Sequence, residues 1–265
     1  MDVAHEVREK VELIRAQIAD AARRSGRAPE SVRLVGVSKY ASPNDGIVEA
    51  MLRAGLYDLA ENRPQRLLEK VDVWGGTYDG RFVPTEALAS DSPLRNDPNV
   101  RLRWHFIGSL QRNKARRILP CAALIHSVDS LKLLEAIDRI LEEEASKEHN
   151  GVFPKVARVL LEAHISEDEN KQGFACDEIA NALQVALAMK RVVVCGLMGM
   201  AGLNATESET RRQFAKLRQT LVECQERFPE ATNFKELSMG MSGDFEIAIE
   251  EGASIVRIGS SLYPS

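Results

Sequence analysis

Ser31-Val-Arg-Leu-Val-Gly-Val-Ser38-Lys39 is the stretch that decides how this chain is read. A short apolar run rich in valine is a buried strand, and this one stops at a lysine. Taken alone, Lys39 is a side chain whose stem lies on apolar surface while its ammonium reaches solvent. The alternative is an amine held at the mouth of a site, where desolvation lowers its basicity and makes it a Schiff-base nucleophile. The flanks supply the fold in which that choice is made. Upstream, Val7, Val11, Ile14, Ile18 and Ala22 recur at helical spacing across residues 4–24, and Gly26 and Pro29 stop the helix. Downstream, Ser42-Pro43-Asn44-Asp45 starts a second helix, with Pro43 in its first turn and Gly55 closing it.

The strand-then-helix unit then repeats. Further strands are expected at 56–60, 104–108, 122–128, 155–163, 191–198, 236–239 and 254–258. Helices are expected at 65–71, 110–119, 130–147, 177–189, 207–227 and 244–251. Strands alternating with helices make right-handed βαβ units and a parallel sheet. Eight of them predict an α/β fold: one (β/α)8 TIM-type barrel spanning residues 1–265, with an extra N-terminal helix. Little chain follows the last strand, so the N-terminal helix is expected to cover the place of the eighth outer helix, or the barrel floor. An open doubly wound sheet is the alternative, but no Gly-x-Gly-x-x-Gly follows the first strand. Residues 72–102, with Gly75, Gly76, Gly80, Pro84, Pro93 and Pro98, read as a surface insertion that is in part disordered.

Composition removes several function classes. A net charge of −4 argues against nucleic acid or an anionic membrane as partner, and 5% aromatic residues is thin for stacking single-stranded bases. Cys121, Cys176, Cys195 and Cys224 have neither zinc-site nor Cys-x-x-Cys spacing. They read as reduced, mostly buried thiols of a cytosolic compartment. No apolar run approaches a membrane span, and the N-terminus lacks the apolar core of a signal peptide. The expected location is cytoplasmic, with a mitochondrial fraction left open.

In a barrel, chemistry gathers at the C-terminal ends of the strands. Those ends carry Lys39, Asn62, His105, Gly108, His126, His164, Met198–Met200, Ser238–Ser242 and Arg257–Ser260. Ser238-Met-Gly-Met-Ser242-Gly243 and Arg257-Ile-Gly259-Ser260 are small, hydroxyl-rich loops after strands seven and eight, where barrels commonly hold a phosphate. Strand eight neighbours strand one, so Lys39 faces this cradle. Amine plus phosphate cradle is what pyridoxal 5'-phosphate (PLP) requires; a sugar-phosphate Schiff-base aldolase has the same two needs. The histidines form no metal-ligand pattern. His126 reads as a hydrogen-bonded strand-end residue, Met198–Met200 as packing at the mouth, and Arg116 and Arg117 as a solvated helix face.

Several of these motifs, spaced and in order, resemble the pyridoxal phosphate homeostasis protein family, itself similar to the barrel domain of alanine racemase. The most specific is Trp104-His-Phe-Ile-Gly-Ser-Leu-Gln-Arg-Asn-Lys114. Val37-Ser38-Lys39, Glu61-Asn62, Asn170-Lys171-Gln172-Gly173, Gly196-Leu197-Met198, Leu237-Ser-Met-Gly-Met-Ser242 and Val256-Arg-Ile-Gly-Ser260 also fit. Arg63-Pro64-Gln65 and Ala163-His164 depart from the pattern. The resemblance implies a fold-type III PLP barrel in which Lys39 forms the imine and Asn62 borders the site. Ser238 or Ser242, with the backbone of Gly259 and Ser260, would hold the phosphate. Arg257 would lie near the pyridine nitrogen or the phosphate; facing the nitrogen, its charge opposes ring protonation and suits a carrier better than a carbanion catalyst.

The expected function is therefore PLP binding for intracellular vitamin B6 homeostasis, with little or no catalysis, no catalytic residue and no metal. PLP-dependent apoenzymes are the expected recipients. The competing reading is a PLP-dependent amino-acid racemase, which needs an acid–base group on the opposite ring face. In alanine racemase that group comes from a second domain and a partner subunit. The sequence runs five residues past Ser260, so the expectation is a monomer without that domain. A pure scaffold leaves the pairing of Lys39 with the phosphate loops unexplained.

Overall fold

Alternation decides what each strand faces. In β1 (Arg33–Val37), Val35 and Val37 belong to an apolar cluster with Ala60, Leu124, Leu160, Cys195, Met198 and Ile255, which fills the space the strands enclose. Leu34 instead joins the large cluster between strands and helices. The computed structural model describes residues 2–42, 45–75, 102–147, 152–167 and 172–264. After β1 come β2 (Asp58–Glu61), β3 (Arg103–Phe106), β4 (Ala122–Val128), β5 (Ala157–His164), the two-residue β6 (Phe174–Ala175), β7 (Val192–Met198), β8 (Glu236–Ser238) and β9 (Ile255–Ile258). All pairings are parallel, in the order β4-β3-β2-β1-β9-β8-β7-β5, and β4 pairs β5 to close the ring. The result is the eight-stranded barrel the sequence predicts. β6, absent from the sequence reading, pairs only with the end of β5.

The helices are α1 (Val3–Arg24), α2 (Ile47–Arg53), α3 (Pro64–Trp74), α4 (Arg112–Ile118), α5 (Leu131–Ala145), α6 (Ile179–Leu187), α7 (Glu207–Arg227) and α8 (Phe245–Glu250). α1 buries Val7, Val11, Ile14, Ile18, Ala21 and Ala22 against α2 and α8. It thus lies between α2 and α8, where a barrel's eighth outer helix would pack, the first of the two positions expected for it. Arg15 donates to the carbonyls of Ala54 and Gly55 at the end of α2, and Arg24 pairs with Glu246 and Glu250 of α8.

Two boundaries differ from the sequence reading. α3 continues through Asp72 and Val73 to Trp74, which is buried, so residues 72–74, expected in the insertion, are helical. Leu102 is fully buried ahead of β3. Residues 76–101, like Pro43, Asn44, Asn170 and Lys171, lie outside the described residues. Arg116 keeps solvent access while it pairs with Glu143 and Glu144 of α5, and Arg117 is exposed. The four cysteines are free thiols, three of them buried. Among the described residues no helix is long and apolar enough to cross a membrane.

Candidate functional site

Lys39 lies two residues beyond β1, at the C-terminal end of the barrel, with an exposed side chain. Its Nζ stands 4.9 Å above the Tyr40 ring. The turn that carries it is clamped from two sides. Tyr263 donates its hydroxyl hydrogen to the Val37 carbonyl (3.1 Å) and accepts from the amides of Tyr40 and Ala41 (3.3 and 3.2 Å). From beneath, the fully buried Lys70 ammonium of α3 donates to the Ser38 carbonyl (2.5 Å), the Ser38 Oγ (3.0 Å) and Glu61 Oε2 (3.1 Å). Burial lowers the Lys70 pKa, and the adjacent Glu61 carboxylate opposes the shift. Asn62 follows β2, half-buried. The loop after β3 presses on it: a Cβ on Gly108 would lie 1.9 Å from the Asn62 carbonyl oxygen, so only glycine fits there.

The loops after β8 and β9 meet beside this turn. Gly259 donates its amide to Ser242 Oγ (3.2 Å). The amides of Ser242, Gly243, Ser260 and Ser261 have no hydrogen-bond partner among the described residues, and Ser242 and Ser260 keep solvent access. Gly240 has φ +92°, and a Cβ there would sit 2.6 Å from Ala248, so the turn requires glycine. Free N–H donors and hydroxyls at adjacent strand ends form a cradle that fits a phosphate monoester. Ser238 does not join that rim. It is fully buried, accepting from Arg257 Nη1 (2.6 Å) and bonded to His126 Nδ1 (2.8 Å).

Arg257 points into the barrel and also donates to the Gly199 carbonyl (3.2 Å). Burial lowers its pKa to about 10 against the raising influence of Asp244 and Glu162. Below it runs a buried chain: Ser238 to His126, His126 Nε2 to His105 Nδ1 (2.8 Å), and His105 Nε2 to Asp58 Oδ1 (2.9 Å). Arg103 closes it at Asp58 Oδ1 (2.7 Å). Arginine can only donate and an ionised carboxylate can only accept. Arg257 and Asp58 therefore fix the donor and the acceptor ends of the chain. Burial holds the His126 pKa well below its ordinary value, with His105 and Arg257 adding to the effect. Burial alone would raise the Asp58 pKa, but hydrogen bonds from Arg103 and His105 carry it far below the carboxylate range.

Glu162, at the inner face of β5, is the one described residue with a buried, unpartnered side-chain polar atom, Oε2. Burial and Asp129 raise its pKa to about 7, against the pull of Arg257. It lines a cleft of about 1150 Å³ that also reaches His164 and Met200 and the residues flanking Ser242. Met198 packs inside the barrel as expected, whereas Met200 is exposed in the cleft. Among the described residues no group of three His, Cys, Asp or Glu is placed to hold a metal ion.

The structure thus brings Lys39, Ser242, Gly259, Ser260 and Arg257 to the ends of neighbouring strands and sets Ser238 one layer below. Sequence reasoning missed Tyr263, Lys70, Asp58 and Glu162. Three of them carried a signal: Lys70 falls on the buried stripe of α3 between Leu67 and Trp74, Asp58 shares the inward alternation of Ala60, and Glu162 that of Leu160.

Residues 12–265 match the family described as alanine racemase, N-terminal domain. A pyridoxal phosphate homeostasis protein of Synechocystis sp. is 34% identical over 89% of this chain and 92% of its own length. One from Aquifex aeolicus is 33% identical over 96% of each chain. The structure of PipY from Synechococcus elongatus PCC7942 with PLP bound has a TM-score of 0.72 and 30% identity, over 97% of this chain and 100% of that one.

Proposed function

This chain belongs to the pyridoxal phosphate homeostasis proteins, within the alanine racemase N-terminal domain family, and on that premise we propose that it binds PLP and holds it on Lys39. The observation that carries the reading is the meeting of Lys39 with the Ser242 and Gly259–Ser260 loops at neighbouring strand ends of a closed barrel. When bound, the group supplies an aldehyde that condenses with a primary amine and a phosphate that seeks N–H and O–H donors. The free amides of Ser242, Gly243, Ser260 and Ser261 match the second need, and Lys39 the first. Tyr263 and Lys70 fix the backbone on either side of Lys39, so the amine is presented from a set position. Arg257, held by Ser238 and Gly199, keeps a cation on the inner wall, and Asn62 borders the mouth.

Holding, without turnover, is the role we assign, with delivery to PLP-dependent apoenzymes in the compartment where they work. Two features support it. The relatives are named for homeostasis, and the cleft beside the site has no Lys or Arg among its described lining residues to receive an amino-acid carboxylate. The monomer is our reading of the working state. Titration of the protein with PLP is expected to produce an imine absorption band in wild type and none in Lys39→Ala, whose circular dichroism stays unchanged. Alanine racemisation is expected to stay at background. A band in Lys39→Ala contradicts the anchor, turnover contradicts the carrier role, and a dimer in light scattering contradicts the monomer.

A further inference from the structure

Glu162 has an environment that the holding role does not explain. It is 4% exposed, its Oε2 has no partner, and it lies inside the barrel at the end of β5. In the closed ring β5 is the fourth strand from β1 in either direction, so Glu162 faces the Lys39 side from across the mouth. An unpaired carboxyl in such a place is costly. Its neighbours come from several elements: Asp129 after β4, Arg257 of β9, Asp244 ahead of α8, Glu207 of α7 and His164 of its own strand. The cleft it borders opens beside the Ser242 loop. That cleft carries Glu162, Glu207 and Asp244, the amides of Gln172 and Asn204, and no Lys or Arg among its described lining residues. Such a lining attracts an ammonium group and repels a carboxylate.

We propose that the cleft admits a primary alkylammonium group, such as a lysine side chain, and that Glu162 is the base that takes its proton so that the amine can displace Lys39 from the held aldehyde. This deepens the PLP-holding reading and rests on it. The step balances without another reactant. The incoming ammonium gives one proton to the Glu162 carboxylate and becomes a free amine. Its nitrogen forms a bond to the imine carbon, its two remaining hydrogens pass to the Lys39 nitrogen as the bond from that carbon to Lys39 breaks, and Lys39, now a free amine, recovers through water the proton that Glu162 holds. A carboxyl titrating near neutral pH suits both transfers. Release would then be driven by amine exchange, in addition to slow hydrolysis.

The test uses PLP-loaded wild-type and Glu162→Gln protein, with ethylamine and β-alanine as probes at equal free-base concentration. In wild type, ethylamine is expected to discharge the Lys39 band faster than β-alanine does, saturably and with an inflection near pH 7. In Glu162→Gln the exchange slows roughly 10²-fold and loses the inflection, as removal of a general base predicts, while release without amine is unchanged. A second readout needs no cofactor. Carbon-13 NMR of cofactor-free protein is expected to show one Glu carboxyl titrating near pH 7 that is absent from Glu162→Gln. A loaded variant that exchanges at the wild-type rate, equal rates for both probes, or no such carboxyl would overturn the proposal. Failure of wild type to form the band at all would instead overturn the PLP reading.

Discussion

Arg257 and Glu162 are charged side chains on the inner wall of the barrel, and each leads to an expectation. The guanidinium of Arg257 donates to Ser238 Oγ and the Gly199 carbonyl, and its burial precludes easy replacement. Arg257→Gln is expected to lose PLP on dialysis about tenfold faster, a change of roughly 1.4 kcal/mol; unchanged loss would argue against its role in retention. Glu162 leads to a pH effect whose sign can be worked out. In the folded protein its carboxyl keeps a proton up to about pH 7, whereas the ordinary value is 4.5. Between those values the unfolded chain binds fewer protons, so stability falls as pH rises through that window, by roughly 3 kcal/mol in total. Glu162→Gln should therefore melt like wild type at pH 4 and higher than wild type at pH 8. Parallel melting curves across pH would count against a raised carboxyl. Sequence reading reached Lys39 and Arg257 because they end strands. It did not reach Glu162: the acid alternates with Leu160, but a strand apolar on both faces, Val159-Leu-Leu-Glu162-Ala-His164, does not say which face is the inner one until the ring closes.

At the scale of elements, α3 has a function that its periodicity conceals. Its stripe of Leu67, Lys70 and Trp74 is buried, and the lysine in the middle ties the helix to the ends of both β1 and β2 through Ser38 and Glu61. Lys70→Met leaves the Glu61 carboxylate buried with no counter-charge, which costs about 3–5 kcal/mol. The urea midpoint should fall accordingly, and adding Glu61→Gln should recover part of the loss. A single variant as stable as wild type would show that the pair carries no weight. The strand and helix order was legible from alternation of apolar runs, and the eight strands were placed to within a few residues. The boundaries that moved did so for tertiary reasons. α3 extends to Trp74 because the indole is buried and donates no hint of this in local propensity. β6 is two residues held only by pairing with β5, a length at which a strand has no sequence period.

For the whole molecule, the fold depends on an element that precedes the barrel. α1 fills the gap between α2 and α8, and its inner residues are as buried as any in the core. Ile14, 4% exposed, and its neighbour Leu13, 60% exposed, offer a matched pair. Ile14→Ala should cost roughly 2–4 kcal/mol in denaturant titration, and Leu13→Ala less than about 0.5 kcal/mol. Equal losses would mean that α1 does not pack as described. A barrel closed in this way brings the two ends of its strand order together, so that Lys39 meets the loops of β8 and β9 although about 200 residues lie between them in the chain. Borohydride reduction of the PLP-loaded protein followed by peptide mass mapping reads out that meeting. A pyridoxyl mass is expected on the peptide that contains Lys39. A pyridoxyl mass on another lysine, or no stable adduct at all, would overturn it.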